Sequence, residues 1–109
     1  MGKVLVQFLL TDVTGTGAGS EAFKPVSKHR TFQAYGTTSA GVGAASIDVE
    51  VSNDGTNYIV LGSIDLVLGT SAVTDGFTSV APWKFVRGNV ASISGTNGTV
   101  SLTMGNEAV

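Results

Sequence analysis

The stretch that decides the fold is Ala45-Ser-Ile-Asp-Val-Glu-Val-Ser-Asn-Asp-Gly-Thr-Asn-Tyr-Ile-Val-Leu-Gly-Ser-Ile-Asp-Leu-Val-Leu-Gly69. Ile47, Val49 and Val51 alternate with Ser46, Asp48, Glu50 and Ser52. A period of two places the two sets on opposite faces of a strand, one buried and one wet. Asn53-Asp54-Gly55 supplies the positive-φ residues of a hairpin turn, and Tyr58-Ile59-Val60-Leu61 returns to the sheet. After a break at Gly62-Ser63, Ile64 to Leu68 reads as a further strand.

The same grammar extends in both directions. Lys3 to Leu10 reads as a first strand, apolar on both sides, with Val4, Val6, Phe8 and Leu10 facing one way and Leu5 and Leu9 the other. Such a strand wants cover on both faces or a partner along its edge. Thr11 to Lys28 carries Gly15, Gly17, Gly19 and Pro25 without sustained periodicity, so it reads as a flexible glycine-rich surface arm anchored by Phe23 and Pro25. His29 to Thr37 alternates Thr31, Gln33 and Tyr35 against Arg30, Phe32 and Ala34. The three glycines of Gly36 to Ala44 predict a turn or loop. Phe77 to Val80 and Trp83 to Ser94 are two more strands, the second with a bulge expected at Gly88, where the apolar phase shifts. Gly95-Thr96-Asn97-Gly98 closes a last hairpin that turns Val100, Leu102 and Met104 inward.

About eight strands at regular spacing, with no helical pattern, predict an all-β fold: a single-domain antiparallel β-sandwich, jelly-roll or Ig-like, over residues 1–109. A chain of 109 residues has room for one such core. It has no cysteine and therefore neither disulfides nor thiolate chemistry, which favours a reducing cytosol or a particle assembled there. Val4 to Leu10 is too brief for a membrane span and leads into Thr11-Asp12 with no small-residue cleavage site, so it reads as a strand and not as a signal segment.

Charged residues make up 13% of the chain, about half the usual share, so its surface is dressed in Ser, Thr, Gly and apolar groups. Such a surface suits burial against copies of the same chain or a larger partner. With six Lys and Arg and a net charge of −2, the chain lacks the basic surplus that nucleic-acid binding demands.

Reaction chemistry is sparse. Gly15-Thr16-Gly17-Ala18-Gly19 lacks the following helix and the Gly-Lys-Ser/Thr of a phosphate-binding loop, so it is read as flexible loop. Asp48 and Glu50 share a strand face with α-carbons roughly 7 Å apart, a spacing open to hydrolysis or cation binding, but nothing beside them adds oxygen ligands and a solvated face is the better reading. Asp54 belongs to the turn. One histidine cannot make a two-histidine metal site. No catalytic residue, metal ligand or cofactor site is assigned. Lys28 and Arg30 fall on one face of a solvated strand start, with His29 opposite, where they are candidates for an acidic partner patch. Trp83 is read as core packing, with a role as interface anchor or sugar platform as the alternative.

Four segments carry a resemblance: Arg30-Thr-Phe-Gln-Ala-Tyr-Gly36, Val49-Glu-Val-Ser-Asn-Asp-Gly-Thr-Asn-Tyr58, Trp83-Lys-Phe-Val-Arg-Gly-Asn-Val90 and Gly98-Thr-Val-Ser-Leu-Thr-Met-Gly105. With them the chain resembles small β-sandwich virion proteins of tailed bacteriophages, capsid decoration (cement) or head and tail accessory subunits. The resemblance covers Arg30 to Gly105, leaves Thr11 to Lys28 outside, and transfers no functional residue. It implies a non-catalytic subunit of the virion, assembled in the bacterial cytoplasm, a trimer or other homo-oligomer that clamps the major capsid protein and touches neither nucleic acid nor membrane. The interface candidates are Val4, Val6, Phe8, Phe23, Pro25, Lys28 and Arg30. The Ser-Asn-Asp-Gly hairpin also resembles jelly-roll carbohydrate-binding modules, and the competing expectation is host adsorption, with Tyr58 or Trp83 stacking on a sugar.

Overall fold

The computed structural model of the chain describes residues 4–19, 22–23, 29–80 and 83–107. Nine strand segments follow one another: β1 (Val4–Val13), β2 (Gly17–Ala18), β3 (Ala22–Phe23), β4 (His29–Thr37), β5 (Ala40–Ser52), β6 (Ile59–Leu68), β7 (Val73–Val80), β8 (Phe85–Thr96) and β9 (Thr99–Glu107). No helix occurs among the described residues, hence none long enough to cross a membrane.

One sheet, here sheet A, runs β1-β9-β4-β7; sheet B runs β2-β8-β5-β6, with β3 also on β8. Because β2 and β3 share one edge, the nine segments fill eight strand positions. The pairs β1 with β9, β2 and β3 with β8, β4 with β7, and β5 with β6 are all antiparallel and nested in sequence. A long hairpin whose arms are rolled into two sheets gives this nesting, so the sandwich is a jelly roll.

Alternation builds the core between the sheets. Phe32 and Ala34 of β4, Ile47, Val49 and Val51 of β5, Val86 and Val90 of β8, and Val100, Leu102 and Met104 of β9 are all buried. At the side where β6 and β7 meet, the Phe77 ring lies on Gly62 and at 5.1 Å from Phe32, so a β-carbon at Gly62 would come within 2.8 Å of that ring.

Three of the five register shifts among the described residues explain where alternation misleads. Phe8 pairs with Thr103 and Leu10 with Leu102, so Leu9 is the extra residue. Both Leu9 and Leu10 then turn inward, and Leu10 does not share the face of Phe8 as the plain period of two predicts. Leu61 is extra between Glu50·Val60 and Val49·Gly62, and β6 continues through Gly62-Ser63 where the sequence suggests a break. On β8 the extra residue is Ala91, between Ile47·Val90 and Ser46·Ser92. Gly88 pairs regularly with Val49 and faces the core, where a β-carbon would lie 2.7 Å from Leu102 Cδ2. Its missing side chain makes room for leucines; it is not the bulge.

Two expected loops are shorter than predicted. β4 runs through Gly36 to Thr37 and β5 starts at Ala40, leaving Thr38-Ser39 as the turn. Within Thr11 to Lys28, β1 continues to Val13, and Gly17–Ala18 and Ala22–Phe23 pair with β8, so this region supplies a sheet edge where a free arm was expected.

Candidate functional site

The outer face of sheet A is built from cross-strand rows. Val6, Gly105, Thr31 and Thr78 make one row; Phe8, Thr103, Gln33 and Gly76 the next; Ser101, Tyr35 and Thr74 a third. None of these positions carries a charge, while the flanking row sets the exposed His29 opposite Val80 and, at the other end, Ser101 Oγ donates to Asp12 Oδ1 at 3.5 Å. Gln33 Nε2 donates to Thr74 Oγ1 at 3.0 Å, and Thr103 Oγ1 donates to the Gln33 carbonyl at 3.2 Å, so the polar groups in the middle of the face satisfy one another. Val6 is 62% and Phe8 58% exposed. Both sit on β1, an edge strand with no neighbour on its outer side among the described residues. An exposed aromatic beside a free strand edge invites a partner or aggregation.

The expected interface residues scatter. Val6 and Phe8 lie together on this surface. Val4 and Phe23 belong to β1 and β3, with side chains outside the described residues, and Pro25 and Lys28 lie outside them altogether. Arg30 departs from expectation: it is 1% exposed on the inward face of β4, not on a solvated strand start. The register explains this, since Arg30 alternates with Thr31 and sits in phase with Phe32 and Ala34. Burial lowers its guanidinium pKa from the ordinary value.

Sheet B carries charges in the middle of its outer face, where the rows of sheet A have none. Its outer face sets Arg87, Glu50 and Val60 in one row and Asn89, Asp48 and Ser63 in the next. Arg87 Nε donates to Glu50 Oε1 at 2.7 Å, and the same guanidinium lies 3.7 Å over the centre of the Tyr58 ring. Ser63 Oγ donates to Asp48 Oδ1 at 2.6 Å. The two carboxylates are therefore engaged by their neighbours across the sheet. Sequence reading paired Asp48 with Glu50 along one strand and missed Arg87, a partner that only the register reveals.

The loop from Asn53 to Tyr58 closes this face at one end. Asp54 Oδ1 accepts from the Thr56 and Asn57 amides and from Ser52 Oγ, all at 2.8 Å, and its other oxygen accepts from Asn57 Nδ2 at 2.8 Å. These donors favour the carboxylate and hold Asp54 well below the usual carboxylate pKa. The loop is longer than a two-residue turn, and within it Gly55 alone has a positive φ, 74°. Gly55 rests against the Phe85 ring. Trp83 leans on the core, in line with its packing role, while Tyr58 is capped by Arg87 on one ring face.

Elsewhere chemistry is thin. Among the described residues no three His, Asp or Glu side chains gather as a metal site. An open groove of about 420 Å³ between Thr14 and the β8–β9 turn is lined by Ser94, Asn97 and Thr99 among others and holds no titratable group.

No protein-family model matches the sequence, and no curated protein is similar to it in sequence. Solved structures do match in shape. SPBc2 prophage-derived protein YomS superposes with a TM-score of 0.64 at 13% identity, covering 99% of this chain and 96% of that one. PBSX exported protein XepA superposes with a TM-score of 0.59 at 7% identity, covering 96% of this chain and 37% of that one. At such identities what is shared is the sandwich fold.

Proposed function

We propose that this chain is a non-catalytic structural protein of a bacteriophage particle, a capsid decoration (cement) subunit that stabilises the shell through protein–protein contacts. The observation that carries the reading is the uncharged middle of the outer face of sheet A, with Val6 and Phe8 exposed on β1, which has no strand on its outer side among the described residues. A partner laid on these middle rows strands no buried charge, and it covers apolar surface that is costly to leave in water. The likeness of the whole domain to a prophage-derived protein of nearly the same size supports the phage setting.

In this reading the partners are copies of the same chain, as a trimer or other ring, and the major capsid protein. The chain resides in the virion. Each contact is modest, and attachment at many points multiplies modest affinities. Catalysis has no part in it, because the carboxylates of sheet B serve cross-strand pairing.

The test is mass spectrometry of gradient-purified particles from the strain that encodes the chain, with and without its gene. The reading requires the chain in stoichiometric amounts on the particle, and shells lacking it should burst at lower temperature. Absence from purified particles refutes it.

A further inference from the structure

Glycine follows an Asn or Asp at three places: Asp54-Gly55, Asp75-Gly76 and Asn97-Gly98. At such a step no side chain shields the glycine nitrogen, which can close on the side-chain carbonyl carbon before it. We propose that Asn97 is a site of spontaneous deamidation, where the chain converts its own amide to a carboxylate.

The structure sorts the three steps. Both Asp54 oxygens accept hydrogen bonds and the Gly55 amide donates to Ser52 Oγ at 3.0 Å, so neither reacting group is free to turn. Asp75 and Gly76 lie within β7, paired with Ala34 and Gln33 of β4, and an anionic carboxylate repels a nucleophile. Asn97 differs on every count. It is exposed, with φ 50°, in the two-residue link between Thr96, which ends β8, and Thr99, which begins β9. The link crosses from sheet B to sheet A, so neither ladder fixes it. The Gly98 amide donates to the Gly95 carbonyl at 3.4 Å, long for such a bond, and Asn97 Nδ2 donates to Ser39 Oγ at 3.1 Å. Asn97 and Gly98 both line the open groove of about 420 Å³, which gives a ring room to form and water a way in.

The chemistry balances with water as the one co-reactant. The Gly98 nitrogen, losing its proton, attacks Asn97 Cγ; the new C–N bond closes a cyclic imide, and Nδ2 leaves as ammonia with that proton. Water then adds to either imide carbonyl and its C–N bond breaks, so the nitrogen regains a proton. Opening at Cγ leaves Asp, while opening at the backbone carbonyl leaves isoaspartate and lengthens the main chain by one atom. Either product sets a negative charge in a groove lined by no titratable group, and turns the donor to Ser39 into an acceptor. The inference goes beyond the particle reading and does not depend on it.

The experiment incubates the purified intact chain in mildly alkaline heavy-oxygen water and follows it by peptide mapping, with electron-transfer fragmentation to tell isoaspartate from Asp. The expected product sits at residue 97, carries one heavy oxygen and forms faster as pH rises, because the attacking nitrogen must lose its proton. Asp54, Asn53, Asn57, Asn89 and Asn106 should stay unchanged over the same period. Ser39→Ala, which releases Nδ2, should speed conversion about fivefold, the worth of one exposed hydrogen bond. Gly98→Ala sets a β-carbon 3.2 Å from the Ser94 carbonyl oxygen and should slow it. Asn97→Gly, which suits the positive φ, should abolish the product and keep the fold. An amide that survives at residue 97 while the urea-unfolded chain converts, conversion first at another asparagine, or a rate untouched by Ser39→Ala would each overturn the proposal. None of these results bears on whether the chain is found in particles.

Discussion

Replacing Phe8 by Ala separates what this residue does for the fold from what it does for a partner. An aromatic side chain carries roughly 200 Å² of surface. With 58% exposed, 42% (100 − 58) is covered within the chain, about 85 Å² or ~2 kcal/mol at ~25 cal/mol per Å². The retained β-carbon and a compact unfolded state reduce that to about 1 kcal/mol of fold stability. The exposed remainder, about 115 Å², is worth ~3 kcal/mol if a partner covers it fully, and about 2 kcal/mol once the β-carbon that Ala retains is subtracted, near thirtyfold in site affinity. Phe32→Ala is the contrast: at 1% exposure it should cost the fold about 3–5 kcal/mol. Urea denaturation reads the first quantity, and titration of the purified chain onto particles stripped of it reads the second. The reasoning fails if Phe8→Ala binds particles as tightly as the parent, or if it destabilises the fold as much as Phe32→Ala does.

Further outcomes follow from the packing. Gly88→Ala puts a β-carbon 2.7 Å from Leu102 Cδ2 and 2.9 Å from Leu10, so denaturation should register a loss of about 1–3 kcal/mol from overpacking, partly recovered by Leu10→Val; an unchanged midpoint contradicts the core position of Gly88. A double-mutant cycle of Glu50→Gln and Arg87→Gln should return a coupling of about 1 kcal/mol or less, given that the Arg87 side chain is 31% exposed; several kcal/mol would mean a far drier pair. Asp54 has a depressed pKa in the folded chain, so its stabilising effect is complete above the unfolded value near 4 and fades as pH falls through the folded value. The stability gap between the parent and Asp54→Ala, measured by urea titration, should therefore narrow only in acid, and a gap that stays constant from neutral pH down to about pH 2, roughly two units below the ordinary Asp value, would refute the assignment of its donors.

The legible parts of the fold are those where alternation is unbroken. β4 is delimited by its own pattern from His29 to Thr37, and Val100, Leu102 and Met104 declare their inward face. Alternation fails wherever one extra residue slips the phase, as at Leu9, Leu61 and Ala91, because a single chain does not announce which neighbour it is out of step with. Glycine misled in two ways: Gly36 and Gly43 sit within strands, where a β-carbon would strike neighbouring groups, and Gly88 is a core contact. Arg30 was misread against its own phase, since alternation puts it with Phe32 and Ala34 and its charge argued for solvent. At the candidate surfaces, Val6 and Phe8 were readable as apolar residues in need of cover. The Arg87–Glu50–Tyr58 arrangement was not, because it joins residues 37 positions apart that meet only across the β5–β8 register.

Electron cryomicroscopy of the particle that carries this chain tests the central claim most directly. The account predicts each copy seated with the β1-β9-β4-β7 face, Phe8 included, against a neighbouring protein. A map in which that face is open to solvent in every copy would contradict it.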